Sequence, residues 1–185
     1  MGLDMERRIA LLCLVFVLAS PSRGVETGDV APECVLKPLR DASPDEIARL
    51  RGHVVWIDFW ASWCAPCAEA FPFLDALDRD FRDRGLRILA IDLDEDPADV
   101  AAFLERHQVS FALAADPTGE CPRRFGVEGM PSSYLVDRKG VVRHVQRGFQ
   151  AGEAEELRRR VEELLAEPAE ARVPANENGR RSAGD

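Results

Sequence analysis

Between residues 25 and 166 the hydrophobic positions switch repeatedly between strand-like and helix-like periods. Val54–Trp60 is a nearly continuous apolar run broken only by Asp58, which suits a strand buried on both faces. Residues 65–84 then carry Phe71, Leu74, Leu77 and Phe81 at helical spacing and stop at Gly85. A second buried strand is predicted over 86–93. Asp96-Pro97 follows, an N-cap with proline at the first helical position, and opens a helix striped by Val100, Phe103 and Leu104. Residues 111–115 read as a short extended segment and 120–125 as a short helix with Pro122 near its start. Residues 133–137 and 141–146 flank the turn Arg138-Lys139-Gly140 and predict an antiparallel hairpin. A last amphipathic helix over about 153–166 presents Leu157, Val161, Leu164 and Leu165. Upstream, Ser43-Pro44-Asp45-Glu46 has the spacing of a capping box before a short helix. Strand–helix–strand, then a hairpin and a closing helix, predicts an α/β fold with helices on both faces of a central sheet. No internal repeat or second core is visible.

The two ends follow other patterns. Arg7 and Arg8 precede an uninterrupted apolar run over 9–19 that ends in Ala-Ser-Pro-Ser. As a helix that run rises about 16 Å, short of the roughly 30 Å hydrocarbon core of a bilayer. Residues 1–24 therefore read as a cleaved export signal rather than a membrane anchor. Cys13 lies inside the run and would leave with it; Leu12 before it does not suit a lipoprotein site. Residues 167–185, rich in Pro, Ala, Asn, Gly and Arg without apolar periodicity, read as a disordered tail. One domain over 25–166 remains.

Composition narrows the function. The chain has 185 residues, 46% hydrophobic and 31% charged, and a formal charge of −9. That excess of acid excludes a nucleic-acid partner, because it repels phosphate, and suits neutral or basic partners. Of five cysteines, loss of Cys13 leaves Cys34, Cys64, Cys67 and Cys121. In an exported chain these are expected to serve disulfide chemistry.

Trp63-Cys64-Ala65-Pro66-Cys67 falls where the first buried strand meets the first helix. The helix start stabilises a thiolate at Cys64 through unpaired N–H groups and the macrodipole. Two intervening residues wind Cys67 back within bonding distance. Cys64 is then the exposed nucleophile that attacks a disulfide, and Cys67 the more buried thiol that resolves the mixed disulfide. Pro66 sits in the first turn, where its missing N–H costs little. A zinc site would need a second Cys-x-x-Cys or a His-x-x-x-His, and neither is present. A purely structural role for the pair is poor, since so small a loop stabilises little. No metal and no bound cofactor are expected, because the cysteines carry the electrons themselves. His53, His107 and His144 show no ligand spacing. Asp92, Asp94, Glu95, Asp96 and Asp99 lack the glycine and terminal glutamate of a calcium loop and read as a solvated loop and helix start.

Asp58 is the unusual residue of the apolar strand. A buried carboxylate titrates upward, and a raised pKa suits a group that takes the proton of Cys67 during resolution. An aspartate facing solvent at a strand end is the competing reading. Cys34 and Cys121 are expected to form a structural disulfide worth about 2–4 kcal/mol; the alternative is two separate core cysteines.

The segment Trp56-Ile57-Asp58-Phe59-Trp60-Ala61-Ser62-Trp63-Cys64-Ala65-Pro66-Cys67 resembles the active-site segment of thioredoxin-fold proteins. Gly129-Met130-Pro131-Ser132-Ser133-Tyr134-Leu135-Val136-Asp137 resembles their cis-proline segment. Ala31-Pro32-Glu33-Cys34-Val35-Leu36, and a central insertion over 94–116, are similar to the exported TlpA/ResA-like branch. The resemblance covers about 30–166. It implies a thioredoxin fold with a central mixed sheet, an N-terminal extension and that insertion. It further implies a cis peptide before Pro131, with the backbone at Met130 pairing an extended substrate segment, and Trp63 shielding one side of the disulfide. Pro72 would kink its helix. By the same resemblance the clients are exported proteins with disulfides, such as apocytochrome c or a copper-site assembly protein. The electron donor would be a membrane protein of the DsbD/CcdA type, and the compartment the bacterial periplasm.

The chain also departs from that pattern. The glutamate that ResA-like proteins place three residues after the second cysteine is Ala70 here, and the adjacent Glu69 is turned by about 100° around the helix. The phenylalanine of the opening segment is Cys34, and Cys121 has no family counterpart. Asp58 matches the acid of thioredoxin itself, where ResA-like members often carry asparagine. A peroxiredoxin would place a threonine where Ala61 stands. A binding or chaperone module with little turnover, using Trp56, Phe59, Met130 and Phe149 as an apolar surface, is the second functional reading.

Overall fold

The computed structural model describes residues 23–40 and 43–168. The expected export signal up to residue 22 and the expected tail from residue 169 lie outside the described residues. In chain order come β1 (Lys37–Pro38), a 3-10 turn over Ile47–Leu50, β2 (Val54–Trp60), α1 (Ala65–Phe81) and β3 (Leu86–Asp92). They are followed by α2 (Pro97–Arg106), β4 (Ala112–Ala115), α3 (Glu120–Phe125), β5 (Ser132–Val136), β6 (Val142–Arg147) and α4 (Ala154–Ala166).

The strands form one mixed sheet in the order β1-β4-β3-β2-β5-β6. β2, β3 and β4 run parallel, which requires crossovers, and α1 and α2 supply them. β5 and β6 form the expected antiparallel hairpin, with β5 antiparallel to β2. β2 is therefore central, and all its side chains are buried. Its alternation feeds two cores. Trp56 and Trp60 pack with Phe71 of α1, Phe103 of α2 and Leu157 of α4. Val55, Ile57 and Phe59 face the opening segment, Ile47 and Phe125 of α3.

Several expectations need correction. Helix 65–84 is α-helical only to Phe81; Arg82–Arg84 tighten into a 3-10 turn that ends on Gly85 at φ 101, a left-handed conformation that glycine adopts without steric cost. The capping box at 43–46 does not form. The Ser43 hydroxyl instead accepts the Leu113 N–H of β4 at 3.2 Å, and Glu46 caps with no side-chain bond. Trp56 and Phe59 are at most 2% exposed, because both faces of a central strand are covered. They belong to the core and cannot line a binding surface. The two-residue β1 was not expected; too short to show a period, it is held by pairing to β4. Among the described residues no helix is long and apolar enough to cross a membrane.

Candidate active site

β2 ends at Trp60 and the chain turns through residues 61–64, closed by the Cys64 N–H donating to the Ala61 carbonyl at 3.1 Å. Cys64 is the N-cap of α1, its backbone still extended, and its Sγ accepts the Cys67 N–H at 3.2 Å. The cap thus places a sulfur where helix starts usually place an oxygen, sharing the Cys67 N–H with the Cys64 carbonyl, which accepts it at 3.1 Å. Pro66 falls in the first turn, where it removes no helical bond. Cys64 and Cys67 are bonded, their Cα atoms 5.2 Å apart. Cys67 is fully buried as expected, but Cys64, expected to be exposed, is only 5% exposed, because its sulfur turns inward to bond Cys67 and packs on the core; Trp63, the residue before it, stands 72% exposed. The peptide between Met130 and Pro131 is cis. Pro131 is buried, and the half-buried Met130 and Phe149 pack on the core cluster that contains both cysteines.

Asp58 lies on the same face of β2 as Trp56 and Trp60, which pack in the core cluster that also holds both cysteines, and is 1% exposed. Its register partner on β5 is Ser133, whose hydroxyl donates to Oδ1 at 2.5 Å. Burial pushes the carboxyl from the usual 3.8 up to about 7, against the pull of Ser133 and a weaker pull from Trp56. The Trp56 indole N–H lies outside hydrogen-bond geometry, so Oδ2 has no donor among the described residues. A carboxyl that ionises less readily folded than unfolded costs nothing below pH 4. It destabilises progressively as the pH rises toward 7, by on the order of 4 kcal/mol once ionised. Asp58→Asn is therefore expected to become more stable than the parent by about 2 kcal/mol or more at pH 8, with no gain at pH 4. Urea unfolding at the two pH values checks this; a gain independent of pH would show that the carboxyl does not titrate as placed.

The acidic loop after β3 is not simply solvated. Asp92 is 3% exposed, and burial together with the neighbouring Asp94 carboxylate pushes it up to about 7. Asp94 reaches the redox turn, accepting the Ser62 N–H at 2.7 Å and the Ser62 hydroxyl at 2.8 Å. Glu95, Asp96 and Asp99 are exposed as expected, Asp96 capping α2 through the Ala98 N–H at 2.8 Å. The strand period buries Asp92 because it continues the inward positions Ile88 and Ala90. Sequence reasoning missed Ser133, Ser62, Asp92 and Asp94. Only the alternation along β3 hinted at Asp92; the other three acquire their roles through strand register and loop approach.

Cys34 and Cys121 are bonded, with Cα atoms 5.5 Å apart, on the opposite face of the sheet. Ala70 is buried and Glu69 exposed. His107 stacks on Phe103, and His144 contacts Gln146 at 3.2 Å, its pKa lowered by burial. Among the described residues no group of three His, Cys, Asp or Glu could hold a metal ion.

A mixed sheet with a Cys-x-x-Cys at the start of α1 and a cis-proline beside it defines a thioredoxin-fold disulfide-exchange protein. Comparison with known proteins agrees. The Redoxin profile matches residues 26–161, and the chain belongs to that family. It is 31% identical over 134 residues to the thiol-disulfide oxidoreductase ResA of Bacillus cereus, covering 72% of this chain and 77% of that one. The ResA of Bacillus thuringiensis is 32% identical over 129 residues, 70% of this chain and 74% of its own. A Chlorobium tepidum protein assigned as the thiol:disulfide interchange protein DsbE superposes with a TM-score of 0.73 at 34% identity, over 77% of this chain and 99% of its own. The protein is a thiol-disulfide oxidoreductase acting on proteins that bear disulfides.

Proposed function

We propose that this oxidoreductase works as a reductant of selected exported proteins in the bacterial periplasm, with Cys64 as the attacking thiolate. The observation that carries the reducing direction is the pair itself. Ala65 and Pro66 stand between the cysteines, with no histidine or other cation to hold the Cys64 thiolate. A dithiol whose thiolate is weakly stabilised gives up its electrons readily.

In the proposed cycle the Cys64 thiolate attacks one sulfur of a client disulfide. A mixed disulfide forms, and the other client sulfur leaves as a thiolate. Met130 and the backbone before Pro131 hold the client strand, while Trp63 covers the outer side. Cys67 then loses its proton to Asp58 and attacks the Cys64 sulfur. The second client sulfur leaves as a thiolate and takes the proton held by Asp58, the first takes one from solvent, so the client departs as a dithiol and the Cys64–Cys67 disulfide remains. Two electrons have passed to the client, so the pair must be reduced again. A membrane donor of the DsbD/CcdA type would do this, and clients in cytochrome c or copper-site maturation fit such a cycle.

Redox titration against glutathione tests the direction. The expected potential is near that of thioredoxin, about −270 mV, and a value near that of DsbA, about −120 mV, would overturn it.

A further inference from the structure

We propose that Asp94 is a positioning residue for the redox turn, acting through Ser62 to set the direction in which Cys64 presents its sulfur to a client disulfide. The inference rests on Cys64 being the attacking cysteine.

The geometry is a two-point clamp. Residues 61–64 form a turn in which Ser62 and Trp63 are the central positions. Both polar groups of Ser62 that face the loop after β3 are taken by one carboxylate, the N–H by Oδ2 at 2.7 Å and the hydroxyl by Oδ1 at 2.8 Å. Bidentate, charge-assisted contacts fix orientation as well as distance. The next residue along is the exposed Trp63, and the one after it is the Cys64 cap.

Asp94 is itself held from the sheet. Its N–H donates to Asp92 Oδ1 at 3.1 Å, and the Leu93 N–H donates to the Trp60 carbonyl at 3.0 Å. The Asp92 carbonyl in turn accepts the Asp116 N–H at 3.2 Å, tying the loop to the end of β4. The turn carrying the nucleophile is thereby braced against two neighbouring strand ends, although none of residues 61–64 lies in a helix or strand. Thiol–disulfide exchange needs the attacking sulfur close to the axis of the bond it breaks, so freedom in this turn lowers the fraction of productive encounters. A small alkylating reagent approaches the thiolate from any open side and makes no such demand.

The test compares two rates on the reduced full-length protein: exchange with insulin disulfides, and alkylation of Cys64 by iodoacetamide at the same pH. Asp94→Ala is expected to slow exchange about tenfold and Ser62→Ala about threefold, with alkylation within about twofold of the parent in both. Ser62→Thr, which keeps the hydroxyl, restores exchange. The double variant is no slower than Asp94→Ala, because both changes remove one interaction. Equal falls in exchange and alkylation, additive losses, or unchanged exchange would each overturn the proposal. Ser62→Ala removes a single hydroxyl and carries the test if Asp94→Ala fails to fold. Cys64→Ser in the same assay separates the two readings. Residual exchange there rejects the assignment of Cys64, while its loss alongside full activity of the Ser62 and Asp94 variants rejects only the clamp.

Discussion

Cys64→Ser is expected to abolish insulin reduction, whereas Cys67→Ala still attacks and then stalls with the client covalently attached. The difference follows from placement. Cys64 caps α1 at the end of a turn whose preceding side chain, Trp63, stands in solvent, and it keeps 5% exposure where Cys67 has none, so it is the more reachable sulfur of the pair. A serine hydroxyl there lacks the acidity and nucleophilicity of a thiol, and no base within the turn compensates. Cys67 is fully enclosed and is bonded to the sulfur of Cys64. Without it the mixed disulfide has no internal route to resolution and persists until an outside thiol attacks. Non-reducing electrophoresis of Cys67→Ala mixed with an oxidised client should show a covalent adduct that dithiothreitol removes. An adduct formed by Cys64→Ser and lacking in Cys67→Ala would reverse the two roles. The same trap, used with a cell extract, captures the client.

Removing the other disulfide is expected to act on stability rather than chemistry. Cys34 and Cys121 are 87 positions apart, so their bond closes a long loop in the unfolded chain. Chain entropy alone assigns such a cross-link about 4–5 kcal/mol, and native disulfides commonly deliver about 2–5 kcal/mol. Both side chains are buried in the core on the face opposite the redox pair. The bond ties the opening segment, which carries no long element of its own, to the short α3. In Cys34→Ala/Cys121→Ala the melting temperature should fall by about 10 °C, given roughly 2–4 °C per kcal/mol for a domain of this size. Insulin reduction at 25 °C should remain near the parent rate, since Cys64, Cys67, Asp58 and Met130 all belong to the other face. An unchanged melting temperature would show that the opening segment is held by packing alone.

The opening segment also shows how a local departure from a family pattern acquires meaning. The resemblance places a phenylalanine where this chain has Cys34, and by itself that reads as a lost aromatic contact. In the fold the position lies beside α3, where Cys121 has no family counterpart either, and the two departures meet as one covalent bond. Each is unexplained alone. Together they replace core packing by a tether.

The one-dimensional pattern was enough wherever a residue's role depends on its near neighbours in the chain. β2, α1, α2 and the β5–β6 hairpin follow from period and punctuation, and Cys64 and Cys67 from a spacing that one helical turn makes productive. The apolar neighbours of Asp58 made its burial and raised pKa readable, because along a doubly covered strand every side chain enters a core. Long-range register was not encoded locally. β1 exists only because β4 lies beside it, and the Ser43 hydroxyl left its expected cap because a strand N–H competed for it. Ser133 meets Asp58 because two strands pair antiparallel with that alignment. Asp94 meets Ser62 because the parallel pairing of β2 and β3 brings their ends to the same edge of the sheet. Sequence thus determined the elements and the reactive sulfurs, since those rest on contacts a few residues apart. The tertiary structure decided which polar groups surround the sulfurs, since hydrogen bonds across 32 and 75 positions depend on how whole strands align.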